Sequence, residues 1–235
     1  MDLAAHDTLW RILHLLPWRF WRSITWFGDS GLLLPVALLI ALWLASSRRT
    51  WPAAALWCGI FGAACSIVLV SKLAFMGWGI GSARFNFTGI SGHSMLSASV
   101  WPVALWLLAS RGRLELRAGL AMFGWLLAAL IAVSRLAIHA HSGSEIVTGY
   151  LLGAAVSGSF LALQRHMEHP RLRASLVALS LLLALLPLQP GRAAPTHDLI
   201  ERMAMRLAGV DRPYTRDDLH RLSKAASLGY RMPVL

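Results

Sequence analysis

The chain of 235 residues is strongly apolar, with 57% hydrophobic and 14% charged residues and a mean hydropathy of +0.58. This composition excludes an ordinary soluble domain and indicates a polytopic membrane protein. The net charge of +11 does not indicate nucleic-acid binding, because no basic stripe is interleaved with stacking aromatic residues. Most arginines instead flank apolar runs, as in loops that face anionic lipid headgroups.

The N-terminal stretch is too polar to span a bilayer. Between residues 8 and 26, tryptophan and leucine are mixed with arginine and histidine, and Pro17 interrupts the run. We interpret this stretch as an amphipathic segment at the membrane interface. No cleavable signal peptide is evident, because charged and histidine residues precede any apolar core.

Six apolar runs follow, each approaching the roughly 20 residues that a helix needs to cross the hydrocarbon layer. The predicted fold is therefore all-α, a polytopic membrane bundle of about six transmembrane helices within a membrane domain of residues 1–190. The runs cover residues 31–45, 52–75, 94–110, 118–138, 146–163 and 174–188.

Residues 191–235 lose the apolar character and contain five acidic residues among many arginines. Two short amphipathic helices are predicted at about 196–208 and 215–227, separated by Arg212-Pro213. We interpret this basic C-terminal tail as a solvated or surface-lying extension without chemistry.

A first polar stretch, Ser91-Gly92-His93, precedes the apolar run that starts near Met95. If that run is helical, its unpaired N–H groups and the positive end of its dipole can bind an anion. Gly92 lets the backbone approach an oxyanion closely. His93 is then placed to give or take a proton.

A second polar stretch runs from Ser134-Arg135 to His141 and Glu145. The guanidinium of Arg135 suits phosphate binding through two parallel hydrogen bonds. His141 and Glu145 are four residues apart, so a helical turn would stack them on one face. A carboxylate on one imidazole nitrogen orients the ring and leaves the other nitrogen as a nucleophile.

Together the two stretches resemble the type 2 phosphatidic acid phosphatase (PAP2) family, whose superfamily includes vanadium haloperoxidases and acid phosphatases. That family carries Lys-x6-Arg-Pro, then Pro-Ser-Gly-His, then Ser-Arg-x5-His-x3-Asp. Here the second motif has Ile90 in place of proline, and the third has Glu145 in place of aspartate, both at the family spacing. The resemblance covers roughly residues 70 to 150.

The first family motif matches less closely. Lys72 lies upstream of the Ser-Gly-His stretch, but the next arginine is Arg84, eleven intervening residues later and followed by Phe85. The resemblance predicts that Lys72 reaches phosphate, with Arg84 as a displaced second clamp.

The resemblance implies a membrane lipid phosphatase that hydrolyses a phosphomonoester or diphosphate. His141 would attack phosphorus and form a phosphohistidine, Glu145 would hold its ring, and His93 would protonate the leaving group. No metal or other cofactor is expected, because cationic side chains and backbone N–H groups supply the charge. The groups expected to bind phosphate are Arg135, Ser91, Gly92, Lys72 and Arg84.

The motifs do not select one lipid. Undecaprenyl diphosphate, phosphatidylglycerol phosphate, phosphatidic acid and lipid A phosphates present the same group. Phosphoryl transfer to another acceptor would use the same residues. A membrane binding or transport protein without turnover is an alternative from another class, because the first motif departs from the family pattern.

The predicted spans place both polar stretches on one side of the membrane and the arginine-rich loops on the other. Short loops rich in arginine favour the cytoplasmic side, so we expect an inner-membrane protein whose site faces outward. The loop arginines are Arg48, Arg49, Arg111, Arg113, Arg117, Arg165, Arg171 and Arg173.

Overall fold

The chain folds as a bundle of helices. The computed structural model describes residues 13, 15–110, 112–168, 179, 180, 182 and 196–228. Within these residues the only pairing of extended backbone is an isolated bridge between Ser82 and Phe87. The α-helices are α1 Trp18–Trp26, α2 Ser30–Ala45, α3 Trp51–Trp78, α4 Gly92–Leu108, α5 Leu114–Ala137, α6 Gly143–Gln164, α7 Thr196–Ala208 and α8 Arg216–Ser227.

Helices α2 to α6 coincide with the first five predicted spans, which confirms the all-α membrane fold. Four helical segments are long and apolar enough to cross a bilayer: Trp18–Ala45, Arg48–Trp78, Leu114–Ala137 and Gly143–Gln164. The sixth predicted span, 174–188, lies outside the described residues except at positions 179, 180 and 182. The number of six spans therefore stays a prediction.

Helix α1 is the described part of the predicted interfacial segment. It begins directly after Pro17, whose fixed φ suits the residue before a helix. Trp21 is buried beside Ala137 at the end of α5, and its Nε1 donates to the Leu13 carbonyl at 2.9 Å. One face of α1 thus packs on the bundle, while Trp18 stays exposed. Its location at a membrane interface stays a prediction.

Helix α4 occupies the centre of the bundle, since twelve of its 17 residues are buried. It packs against α2, α3, α5 and α6. A membrane-embedded bundle gains little from excluding water between helices, so close packing and interhelical hydrogen bonds hold it together. One such bond joins Ser157 Oγ of α6 to the Ala98 carbonyl of α4 at 2.7 Å.

Two glycines allow α6 to approach α4 closely. A Cβ atom at Gly149 would lie 2.5 Å from the Ser91 carbonyl oxygen, and one at Gly153 would overlap the Met95 carbonyl oxygen. The spacing of four residues puts both glycines on the same face of α6. This contact sets α6, which carries Glu145, directly against the first turn of α4.

Helix ends place the two polar stretches at the same end of the bundle. Ser91 is the N-cap of α4 and Ser142 is the N-cap of α6. Helix α3 ends at Trp78, and its C-cap Gly79 adopts a left-handed conformation with φ 66° that turns the chain into the loop leading to α4. The Ser91 N–H donates to the Glu145 carbonyl at 3.1 Å, which ties the two N-termini together.

The arginine-rich loops meet at the opposite end. Arg49, before α3, lies 3.9 Å from the carboxylate of Glu168, after α6. The Arg117 guanidinium stacks 3.9 Å from the Trp106 ring centroid, and Trp106 Nε1 donates to Gln164 Oε1 at 2.8 Å. The predicted loop arginines that the structure describes therefore lie at the helix ends opposite the polar stretches: Arg48, Arg49, Arg113, Arg117 and Arg165. Arg111, Arg171 and Arg173 lie outside the described residues.

The C-terminal segment contains both predicted helices, and it lies on the surface of the bundle, packed against the end of α3. The expectation that it has no chemical role stays a prediction. Helix α7 packs against α3, where Gly77 lies close to Ala204 and Ala208. The Tyr214 N–H donates to the Met76 carbonyl at 2.9 Å. The tail sequence is polar enough to suggest a solvated surface, yet its small and polar residues fit against the end of α3. The assignment of 1–190 and 191–235 as separate units stays a prediction.

Candidate active site

The two polar stretches open on one cavity of about 970 Å³. Its polar lining includes Lys72, His93, Arg135 and His141. Helices α3, α4 and α5 and the turn before α6 each contribute one of these side chains. The structure thus brings together residues separated by up to 69 positions in the chain, as the motif spacing predicts.

His141 and Glu145 form a direct pair, with Nδ1 of His141 2.8 Å from Oε2 of Glu145. The geometry differs from the predicted helical stacking, because His141 lies before α6 and outside its first turn. Ser142 and Glu145 form a capping box, in which the Glu145 carboxylate turns back and accepts from the Ser142 N–H at 3.1 Å. The capping geometry therefore aims the carboxylate at His141.

The other carboxylate oxygen of Glu145 is held by Thr88. The Thr88 N–H and hydroxyl donate to Oε1 at 2.7 and 2.6 Å. The Glu145 side chain is fully buried, so these bonds replace the water that a carboxylate normally requires. An ionised Glu145 keeps the proton on Nδ1 of His141 and leaves Nε2 with a lone pair.

The surroundings of His141 favour its neutral form. Burial lowers the pKa of His141 below its ordinary value of 6.5, although the hydrogen bond to Glu145 acts in the opposite direction. Lower basicity keeps the imidazole unprotonated, which a nucleophile requires.

Ser91 acts as a cap and does not line the cavity. Its side chain is fully buried, and its Oγ accepts from the Ser94 hydroxyl at 3.0 Å. Its N–H is taken by the Glu145 carbonyl. The predicted anion site at this helix N-terminus therefore falls on Gly92 and His93, which line the cavity in the first turn of α4.

The two residues assigned to the first family motif lie in different places. Lys72 lines the cavity, and the backbone of Gly89 packs against it. Arg84 is exposed on the loop after α3, where its guanidinium lies 5.5 Å from the Phe85 ring centroid. The structure does not bring Arg84 to the cavity, because the eleven residues after Lys72 carry it to the loop surface.

Helix α1 and the start of α2 supply partners that the motifs do not contain. Thr25 Oγ1 accepts from Arg135 Nη1 at 3.0 Å. Asp29 lies 3.8 Å from His93 Nε2. Asp29 is the only acidic residue between positions 8 and 114, and an isolated carboxylate beside an apolar run was the signal that could have identified it.

Arg216, like Thr88, is a further site residue that sequence reasoning missed. It begins α8, and its Nη2 lies 2.9 Å from each carboxylate oxygen of Glu145. No motif marks it, because it is one of many arginines in a polar tail. Among the described residues, no three histidine, cysteine, aspartate or glutamate side chains gather as a metal site.

Comparison with known proteins identifies the family. A family model described as the PAP2 superfamily matches residues 79–168. A relative in Klebsiella pneumoniae, an uncharacterized 22.5 kDa protein in the cps region, is 45% identical over 208 residues, which cover 86% of this chain and 98% of that protein. The chain belongs to the PAP2 superfamily. The resemblance stated from the motifs is thereby confirmed.

A solved PAP2 structure shares the fold. The crystal structure of the first transmembrane PAP2 type phosphatidylglycerolphosphate phosphatase from Bacillus subtilis matches with a TM-score of 0.52 and 22% identity. The match covers 73% of this chain and 90% of that one. This PAP2 protein is therefore a multi-pass membrane protein. The family match contains His93, Arg135, His141 and Glu145, whereas Lys72 precedes it and Arg216 follows it.

Proposed function

We propose that this PAP2 protein is an integral membrane lipid phosphatase that hydrolyses a phosphomonoester or diphosphate through a phosphohistidine at His141. One observation carries the proposal. His141, with Nδ1 held by Glu145, shares a single cavity with Arg135, Lys72 and His93. A nucleophile, an orienting carboxylate, cations and a second histidine are the groups that metal-free phosphoryl transfer requires.

In the proposed reaction, Nε2 of His141 attacks phosphorus. A P–N bond forms, the P–O bond to the lipid breaks, and His93 gives its proton to the leaving oxygen. The Asp29 carboxylate lies 3.8 Å from Nε2 of His93, beside the ring that moves the proton in this step. His93 then takes a proton from water, whose oxygen attacks phosphorus. The new P–O bond forms as the P–N bond breaks, which releases inorganic phosphate and returns His141 to its neutral form.

Positive groups around the cavity stabilise the phosphoryl group as it is transferred. Arg135 and Lys72 supply charge, and the N–H groups of Gly92 and His93 at the start of α4 supply hydrogen bonds. Arg135 is steadied by Thr25. These groups take the place that a metal ion has in other phosphoryl-transfer enzymes, so the proposed activity does not depend on divalent metal.

The remaining lining suits a lipid. Apolar side chains from α1, α2 and α3 form one side of the cavity, including Trp26, Leu34, Leu69 and Met76. A phosphate headgroup can then lie among the cations while its hydrocarbon tail contacts apolar residues. Phosphatidylglycerol phosphate, undecaprenyl diphosphate, phosphatidic acid and lipid A phosphates all fit this description.

The site is proposed to face the extracytoplasmic side of the inner membrane. The loop arginines that the structure describes, such as Arg49 and Arg117, lie at the end of the bundle away from the cavity. Arginine in short loops is retained on the cytoplasmic side during insertion.

The test is phosphate release in detergent with EDTA from a panel of these lipids, comparing the native protein with His141→Ala. We expect release from at least one lipid without metal and its loss in the variant. The matched control is His139→Asn, because His139 is exposed two residues away and has a φ of 56° that asparagine tolerates. Release that survives His141→Ala would refute the nucleophile, and no release from any lipid would refute hydrolysis.

A further inference from the structure

Arg216 joins the C-terminal segment to the catalytic carboxylate. Its Nη2 lies 2.9 Å from both Oε1 and Oε2 of Glu145 and 3.2 Å from Thr88 Oγ1. Glu145 is fully buried and Arg216 is about one third exposed. The guanidinium therefore covers the side of the Glu145 carboxylate that His141 and Ser142 do not contact.

Both terminal nitrogens of Arg216 are committed to protein oxygens. Nη1 donates to the Asn86 carbonyl at 2.7 Å and to its Oδ1 at 2.8 Å. Nη2 is occupied by Glu145 and Thr88. A guanidinium that gripped phosphate would present these forked nitrogens to the cavity. Arg216 also lines the cavity, but both of its terminal nitrogens are already bonded to protein oxygens. This bonding favours a role through Glu145 over direct phosphate binding.

The start of α8 is built to hold Arg216 in place. Thr215 and Asp218 exchange capping hydrogen bonds, with the Thr215 N–H 3.0 Å from Asp218 Oδ2 and the Asp218 N–H 3.3 Å from Thr215 Oγ1. Arg212 binds both oxygens of Asp218 at 2.8 and 3.2 Å. This pairing holds the pKa of Asp218 well below its ordinary value, so the cap persists at neutral pH.

The receiving loop is shaped to match. Asn86 adopts a left-handed conformation with φ 50°, and its side-chain oxygen accepts from Arg216 and lies 3.0 Å from His220 Nε2. Tyr214 packs over Gly79, where a Cβ atom would lie 3.1 Å from the ring. Residues 212–220 therefore dock on the loop that also supplies Thr88.

We propose that Arg216 is a positioning residue for the phosphoryl-transfer reaction, acting by fixing Glu145 in its ionised form and in the rotamer that faces His141. This inference rests on the proposed function. When His141 becomes cationic in the phosphoenzyme, a nearby guanidinium discourages transfer of the Nδ1 proton to the carboxylate. The C-terminal segment thus completes the site that the family motifs begin.

The kinetic test compares Arg216→Gln and Arg216→Lys with Lys224→Gln, which removes an exposed cation from the same helix. For Arg216→Gln we expect kcat to fall roughly 10- to 100-fold with KM changed less than about threefold. Arg216→Lys should recover part of kcat, and Lys224→Gln should resemble the native protein. A loss confined to KM would identify a phosphate clamp and overturn the proposal.

A double variant separates positioning from an independent contribution. If Arg216 acts through Glu145, adding Arg216→Gln to Glu145→Gln should lower kcat by less than about twofold further. If Arg216→Gln lowers kcat as much in the Glu145→Gln protein as in the native protein, Arg216 acts independently of Glu145, which would overturn the proposal.

A readout that needs no turnover is the pH dependence of His141 modification by diethyl pyrocarbonate, followed by tandem mass spectrometry. Removing a nearby cation favours imidazolium, so Arg216→Gln should move the midpoint for His141 to higher pH and leave His139 unchanged. An unmoved midpoint would overturn the role of Arg216. If the native protein releases no phosphate from any lipid, the proposed function fails. The midpoint still tests separately whether Arg216 influences His141.

Discussion

Glu145 combines a structural and a proposed catalytic duty in one carboxylate. It completes the capping box of α6 with Ser142 and holds Nδ1 of His141 at 2.8 Å. Capping boxes use glutamate or glutamine at the third helical position, so the longer side chain found here in place of the family's aspartate can satisfy both. Glutamate at this position can therefore hold the His141 ring while its carboxylate is fixed by the helix cap.

At this scale the pH profile of kcat/KM tests the pair. Burial lowers the pKa of His141, so the acid limb should have its midpoint below 6.5, the ordinary imidazole value. Glu145→Gln removes the partner that raises the pKa of His141, so the midpoint should move further to acid. The plateau should fall roughly 100- to 10,000-fold. Substrate titration is common to both proteins and cancels in the comparison, and a midpoint that moves to higher pH would contradict the pairing.

Lys72 and Arg84 are both cations that the family resemblance assigns to phosphate, but they lie in different places. Lys72 lines the cavity and Arg84 lies on the exposed loop. Lys72→Gln should lower kcat/KM roughly 100-fold, because a positive group near the transferred phosphoryl is lost. Arg84→Gln should stay within about twofold of the native value, as exposed charges usually do. Both variants are measured by steady-state kinetics. Equal losses of kcat/KM would show that Arg84 also acts at the site.

The sequence identifies site residues where chemistry fixes their spacing. His93, Arg135, His141 and Glu145 were found because each lies in a motif, and the structure gathers them. Thr88 and Arg216 were not, because they reach Glu145 from 57 and 71 residues away. Contacts made across a fold leave no periodic pattern in the chain.

At the scale of elements, the contact between α4 and α6 connects packing to the site. Ser91 and Glu145 lie at the two helix N-termini, and Gly149 and Gly153 let the helices approach. Apolar periodicity predicts each helix, but it does not predict which faces meet. That information lies in small residues, whose meaning depends on the partner helix.

Gly153→Ala should destabilise the protein even though alanine is the better helix former. The new Cβ would overlap the Met95 carbonyl oxygen, and overpacking of this kind costs about 1 to 3 kcal/mol. The control is Gly158→Ala on the same helix, where nothing lies within 4 Å and higher helix propensity predicts an unchanged or raised melting temperature. Thermal unfolding in detergent measures both, and equal melting temperatures would contradict the close approach.

For the whole molecule, charge predicts orientation. The arginine loops lie together at one end of the bundle and the cavity opens at the other. In a background with Cys58 and Cys65 replaced, a cysteine introduced at Phe85 should react with a membrane-impermeant maleimide on intact cells. A cysteine introduced at Arg113 should react only after permeabilisation. The reverse pattern would place the site in the cytoplasm.

The tail shows the limit of composition as a guide. Its charge and polarity predict two helices correctly, because amphipathic periodicity is local. They do not reveal where the segment docks, because the partners of Arg216 are Asn86, Thr88 and the buried Glu145, which all lie outside it. Burial of Glu145 against a distant arginine is a property of the whole fold.

The most direct measurement of the account is capture of the covalent intermediate. The protein is mixed with lipid labelled by 32P on its phosphate, quenched in alkali because phosphohistidine is acid-labile, digested and mapped by mass spectrometry. Nucleophilic attack by His141 predicts label on His141 in the native protein and none in His141→Ala. Turnover without protein-bound label, or label on His93 or His139, would contradict it.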